Sequence, residues 1–198
     1  ELPDSWRWCR VGQIADVRLG GTPARKEPSY WNGSIPWVSS GEVANCRISG
    51  TAEQITKKGL ENSNAKLYPA GSVLIAMIGE GKTRGQSAIL DIDACTNQNV
   101  AGLIFDAGLV NPEYIWYWAL QEYTKNREEG RGGNQAALNG AKVRALPLPL
   151  PPVNEQAEIV RVLKNMLRLA SAIDARVNVA TARANKLPQA ILSKAFAG

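Results

Sequence analysis

NEQAEIVRVLKNMLRLASAIDARVNVATARANKLPQAILSKAF, residues 154–196, carries apolar side chains at Ile159, Leu163, Met166, Ala170, Ile173, Val177, Ala180, Ala184, Leu187 and Ile191. The intervals alternate between four and three without a slip, which is a heptad repeat: one apolar stripe along a helix. Arg161, Lys164, Arg168, Asp174, Arg176, Arg183 and Lys186 lie between the stripe positions and mark solvated faces. A helix of about 43 residues is about 64 Å long at about 1.5 Å per residue. That exceeds what a small domain can cover, so the stripe calls for a second long helix. Ala170, Ala180 and Ala184 would let two backbones approach closely. Asn154 is placed to cap the helix, with Glu155 in its first turn at the positive end of the helix dipole. Pro188 lacks an amide hydrogen and clashes one turn back, which predicts a kink or break near Leu187.

The 198 residues suit one domain with an appendage, here residues 1–150 followed by a helix over 151–198. Net charge is +5 and is concentrated in the appendage. Residues 151–198 hold 7 basic and 3 acidic side chains, against 16 and 15 in residues 1–150. A basic helix favours polyanionic partners, chiefly nucleic acid. Histidine is absent, which removes Ser-His-Asp and Cys-His catalysis and nearly every zinc site built from His and Cys. Cys9, Cys46 and Cys95 are sparse, odd in number and without a CxxC pair, so reduced thiols in a cytoplasmic protein are expected. No apolar run is long enough for a membrane span, and no cofactor or metal site is expected. The first residue is Glu1 rather than Met, which suggests a piece of a longer chain.

Ahead of the helix the chain reads as β-rich. A strand is expected through Trp6–Val17, then a loop at Gly20-Gly21-Thr22-Pro23. A short strand is expected at Ile35–Ser39, with Pro36 on a sheet edge, and a short helix at Lys57–Ala65. Val73–Ile78 reads as a buried strand pairing with Gln86–Leu90 across Gly79–Gly85. Val100–Phe105 is another strand, Pro112–Tyr123 a helix, and Pro147–Pro152 an extended, proline-stiffened join. The fold class is therefore α+β: a mixed or antiparallel β-rich domain and one long C-terminal coiled-coil helix.

Two stretches mimic enzyme motifs. Ala76–Thr83 fits the loose pattern of a phosphate-binding loop, but a helix must follow directly and residues 86–92 read as a strand. A hairpin turn exposing Lys82 and Arg84 is the better account. Asn111-Pro112-Glu113-Tyr114 resembles a methyltransferase NPPY signature without its second proline, and reads as a helix start. Asp91, Asp93 and Asp106 read as solvated turn residues.

Three stretches together resemble the type I restriction–modification specificity (S) subunits. LPDSWRWCRVGQIADVRLGGTP (2–23) with YWNGSIPWVSSGEV (30–43) resembles the opening of a target-recognition domain of that family. AGSVLIAMIGEGKTRGQSAI (70–89) with ACTNQNVAGL (94–103) is similar to its core hairpin. LPLPPVNEQAEIV (148–160) and KLPQAILSKAFAG (186–198) are similar to its helical region. The resemblance implies a non-catalytic subunit that reads one half of a split site in double-stranded DNA. It also implies docking of a methyltransferase subunit and, through it, a nuclease and translocase subunit. Family members carry two recognition domains and two long helices paired antiparallel; this chain has one of each. A fragment or a half-length form that pairs with a second copy is expected. The competing readings are a P-loop nucleotide-binding protein and an unrelated nucleic-acid-binding oligomerisation module.

Recognition residues differ between members of such a family, so contacts are expected on chemical grounds alone. Arg pairs two-pronged with guanine and Asn or Gln with adenine, while loop Lys and Arg hold phosphates. The candidates are Arg25 and Lys26; Lys57 and Lys58; Lys82, Thr83, Arg84 and Gln86; and Arg131, Asn134 and Gln135.

Overall fold

A computed structural model describes residues 2–79, 83–106, 108–128 and 138–197. The elements in chain order are β1 (Arg7–Arg10), α1 (Val11–Ile14), β2 (Ala15–Leu19), β3 (Trp31–Val38), β4 (Cys46–Ile48), β5 (Glu53–Ile55) and α2 (Lys57–Glu61). They continue with β6 (Leu67–Tyr68), β7 (Val73–Ala76), β8 (Ser87–Leu90), β9 (Ala94–Thr96), β10 (Val100–Phe105), α3 (Pro112–Glu128), α4 (Gly140–Ala145), β11 (Pro147–Leu150) and α5 (Val153–Phe196).

Three sheets form, ordered β1-β11, β2-β10-β7-β8-β4 and β5-β3-β9-β6. Most pairs are antiparallel; β3 with β9 and β4 with β8 are parallel. The expected pairing of residues 73–78 with 86–90 is present as β7 with β8, in register Val73↔Ile89. Every residue of both strands is buried. The α+β reading of the sequence thus matches the structure.

The core lies where the two larger sheets face each other. Val38, Val43, Ile48, Tyr68, Leu74, Ala76, Ala88, Leu90, Ala94 and Val100 form one buried cluster. Trp37, Ile55, Ala65 and Cys95 form a second. The Tyr68 ring lies flat against Gly102, where a Cβ would stand 2.2 Å from its ring carbon. Only glycine lets β10 carry the ring there. Burial pushes the Tyr68 hydroxyl up to about 12 and the Cys95 thiol up to about 11, which leaves that thiol inert at neutral pH.

Several local expectations need correction. The single strand expected over Trp6–Val17 is broken by α1 into β1 and β2, which lie in different sheets. Gln13 closes the break by accepting from the Arg10 amide. The strand expected to run to Ile78 ends at Ala76, and Ile78 is exposed. Pro36 is not on an edge strand, since β3 lies between β5 and β9. At Pro36 itself, however, only β5 is paired, through Gln54, because β9 pairs only from Trp37 onward. The helix cap is Pro152 rather than Asn154: the Gln156 amide donates to the Pro152 carbonyl at 3.0 Å. Pro188 does not interrupt α5, which continues through it for two further turns.

The chain divides into two units, Glu1–Ala157 and Glu158–Gly198. The first turn of α5 belongs with the β-rich unit because its side chains are bonded into it. Gln156 is fully buried; its Oε1 accepts from the Asn111 amide at 2.8 Å, and its Nε2 donates to the Pro151 carbonyl at 2.8 Å. Glu155 accepts from the Trp6 indole at 2.9 Å. In the second unit, Ile159 and Leu163 are half-buried, and every residue from Lys164 to Ala197 is exposed. Met166, Ile173, Val177, Leu187 and Ile191 are each more than half exposed, so the apolar stripe stands uncovered. Leu167 and Leu169 flank it and widen the apolar face in its first half.

Gln156→Leu keeps the volume but leaves the Asn111 amide and Pro151 carbonyl buried without partners. Each such orphan costs about 1–3 kcal/mol. Urea unfolding of the variant is expected to show a loss of at least that size, and an unchanged midpoint would refute the role given to Gln156.

Candidate nucleic-acid interface

The two ends of the five-stranded sheet differ in chemistry. At one end β2 finishes at Leu19 opposite Ala101, β10 begins opposite Ala76, and β8 begins opposite Ile75. The loops leaving this end are 20–23, 39–45, 77–86 and 96–99. Among their described residues the exposed or half-buried polar side chains are Thr22, Ser39, Ser40, Asn45, Thr83, Arg84, Gln86, Asn97, Gln98 and Asn99, with Glu42. Glu42 is spent locally, accepting from the Ser39 amide and hydroxyl and the Ala52 amide.

The opposite end collects carboxylates. Asp91, Asp93 and Asp106 follow the ends of β8 and β10, and Glu113 opens α3. Arg47 donates to both Asp91 and Glu113 and is held above its usual range, first by the Asp91 bond and then by Glu113. Asp93 accepts from the Ala70 amide and Asp106 from the Gly108 amide. These acids are thus tied into turns rather than merely solvated, and no group of three or more metal-ligating side chains forms among the described residues. Asn111 accepts from the Glu113 amide at 3.0 Å, as a helix start requires.

The candidate residues separate into two groups. Thr83, Arg84 and Gln86 lie together at the amide-rich end, with Arg84 half-buried rather than exposed as expected. The Gln86 amide donates to the Thr83 carbonyl and the Gly85 amide to Ala76, which closes a hairpin. β8 follows, not a helix, so the phosphate-loop reading lacks the element it needs. Lys82, Arg131, Asn134 and Gln135 lie outside the described residues.

The second group surrounds the turn at Pro28–Tyr30. Lys58 donates to Ser29 at 3.2 Å and lies 5.8 Å from the Tyr30 ring centre. Lys57 pairs with Glu61 at 3.7 Å on the exposed face of α2, and Lys26 is exposed. Arg25 is different in kind. Its guanidinium sits 3.9 Å from the Trp31 ring centre and 4.8 Å from that of Trp37, and pairs two-pronged with Glu53. The two indoles meet edge to face at 5.3 Å. Two of its five donors are taken by Glu53, so Arg25 ties its loop to β5. Thr22, Asn97 and Gln98 carried no chemical signal in residue order that singled them out. A run of four polar residues, Thr96–Asn99, between two apolar strands was the available signal.

The sequence model described as Type I restriction modification DNA specificity domain matches residues 3–179. The chain belongs to this family. It is 27% identical over 170 residues to the specificity subunit of the type I restriction enzyme EcoR124I/EcoR124II from Escherichia coli, covering 84% of this chain and 42% of the relative. It is 39% identical over 163 residues to the StySPI specificity subunit of Salmonella potsdam, covering 77% of this chain and 34% of the relative. The fold is shared with the crystal structure of the HsdS subunit from Thermoanaerobacter tengcongensis, with a TM-score of 0.70 at 21% identity over 100% of this chain and 46% of that one. The chain thus spans less than half the length of these proteins.

Arg25→Ala removes a surface ion pair and a cation–π contact, together worth about 1 kcal/mol. Arg25 holds the Glu53 carboxyl below its ordinary range, so the pair stabilises at neutral pH and that contribution fades as acid protonates Glu53. The wild-type advantage over Arg25→Ala in thermal melts should therefore be present at pH 7 and shrink toward pH 3. An advantage that grows with acid would contradict it.

Proposed function

We propose that this chain is a non-catalytic DNA-specificity component of a cytoplasmic type I restriction–modification enzyme. Its β-rich unit reads one half of a bipartite duplex site through the amide-rich end of the sheet. Its α5 pairs with a second copy, or with a second half on a longer chain. The assembled subunit docks the methyltransferase subunit and, through it, the nuclease and translocase subunit.

The observation that carries this reading is the uncovered stripe from Met166 to Ile191. An apolar face of this length left in water is unstable, and each Val, Leu, Ile or Met covered recovers about 1.5–3 kcal/mol. A heptad spacing selects another helix as the cover. Family membership supports the DNA-reading half, and the gathering of acids at the far end of the sheet favours approach of a polyanion to the amide-rich end. Two copies related by a two-fold axis present inverted reading surfaces, so the DNA site is an interrupted palindrome whose gap is set by α5. No helix among the described residues is long and apolar enough to cross a membrane.

Light scattering of the chain should give a mass near twice that of one copy, and Ile173→Asp, a charge in mid-stripe, should halve it. The variant should also lose on the order of a hundredfold in affinity for the interrupted palindrome, because the second contact no longer comes tethered to the first. A wild-type chain that stays monomeric at high concentration would refute pairing between two copies.

A further inference from the structure

The crossover between β9 and β10 is the tie that holds the amide-rich end together. The Gly21 amide donates to the Thr96 carbonyl at 2.8 Å, the Gly20 amide to Val100 at 3.2 Å, the Asn97 amide to Val38 at 3.1 Å, and the Met77 amide to Asn99 at 2.8 Å. Asn97 braces the turn from within: its Oδ1 accepts from the Asn99 amide at 3.0 Å, and its Nδ2 reaches Ser40 Oγ at 3.4 Å. A Cβ on Gly20 would stand 2.1 Å from Thr96 Oγ1, and one on Gly21 would stand 2.3 Å from the Asn64 carbonyl carbon. Main chain at Gly20, Gly21, Val38 and Met77 is therefore bonded to residues 96–100, which fixes this turn at four points.

On that fixed turn Gln98 is the one exposed residue, its neighbours Asn97 and Asn99 being half-buried. Gln98 Oε1 accepts from the Thr22 hydroxyl of the neighbouring loop. Its Nε2 donates to nothing among the described residues. The side chain is thus held by its oxygen, with its two N–H donors left to the surface.

We propose that Gln98 is a base-reading residue of the bound half-site, oriented by Thr22 so that it reads a keto base, guanine or thymine, in the major groove. This rests on the DNA-reading function proposed above. A glutamine that recognises adenine uses both ends of its amide, donating to N7 and accepting from N6. Here the accepting end is turned to Thr22, and only donors face outward. Guanine offers two adjacent acceptors, O6 and N7, and thymine offers O4; adenine offers N7 alone beside an amino group that a second N–H donor cannot pair with, and cytosine offers only a donor. A donor on rigid backbone can discriminate, whereas the same amide on a loose loop would adapt to either edge.

The test is selection of bound duplexes from a random-sequence pool by the full wild-type chain, Gln98→Ala, Gln98→Glu and Thr22→Val, with circular dichroism confirming that each folds. In the wild type one half-site position should be a keto base. Gln98→Ala should flatten the preference there by roughly tenfold and leave the other positions unchanged. Gln98→Glu, which only accepts, should move that position toward a base carrying an amino group. Thr22→Val, which releases the oxygen, should admit adenine there. A wild type that enriches no sequence would sink the DNA-reading function itself. A wild type that selects a half-site which Gln98→Ala, folded, selects equally well would sink the role of Gln98 alone, as would a preference at the Gln98-dependent position for adenine or cytosine.

Discussion

A helix whose apolar face has nothing to rest on constrains everything else in this chain. From Lys164 onward α5 has no buried residue, yet its stripe keeps a strict heptad to Ile191. Intrinsic helix propensity alone rarely sustains such a rod in water, and packing of an amphipathic face does so readily. The β-rich unit does not provide that packing, and its own needs are met elsewhere: its clusters close around Tyr68, Leu74 and Trp37 without drawing on the distal helix. The sequence thus poses two solvent problems, and the β-rich unit solves only its own.

The first turn of α5 is anchored in the β-rich unit by polar bonds. Gln156 satisfies the Asn111 amide and the Pro151 carbonyl, and Glu155 takes the Trp6 indole. Hydrogen bonds are directional, so this arrangement fixes the first turn of α5 as well as attaching it. β1 pairing with β11 secures the same place from the other side, because the strand that enters the helix is clamped to the strand that begins the chain.

Much of this was legible in residue order. The heptad is an unusually clean signal, since ten positions in a row obey one rule. Buried strands such as β7 and β8 announced themselves as short apolar runs with glycines between. Where reading failed, a longer-range term overrode a local one. Trp6–Val17 looks like one strand, but its halves are wanted by two sheets, and α1 is the device that redirects them. Pro188 looks like a break, yet a missing hydrogen bond and a ring clash did not end a helix of 44 residues. For Arg25, nothing in spacing reveals that Trp31, Trp37 and Glu53 converge on it. Gln98 lay within ACTNQNVAGL, a stretch quoted only for its likeness to the family, and its setting depends on bonds from loops far away in sequence.

The acids gathered around Arg47 carry one more implication. A fold near neutral on average still has a direction when its acids are gathered at one pole. Asp91, Asp93, Asp106 and Glu113 form such a keel, only partly offset by Arg47. If the β-rich unit reads DNA as proposed, a duplex drifting toward the keel would be repelled there, and wrong-way encounters would be short.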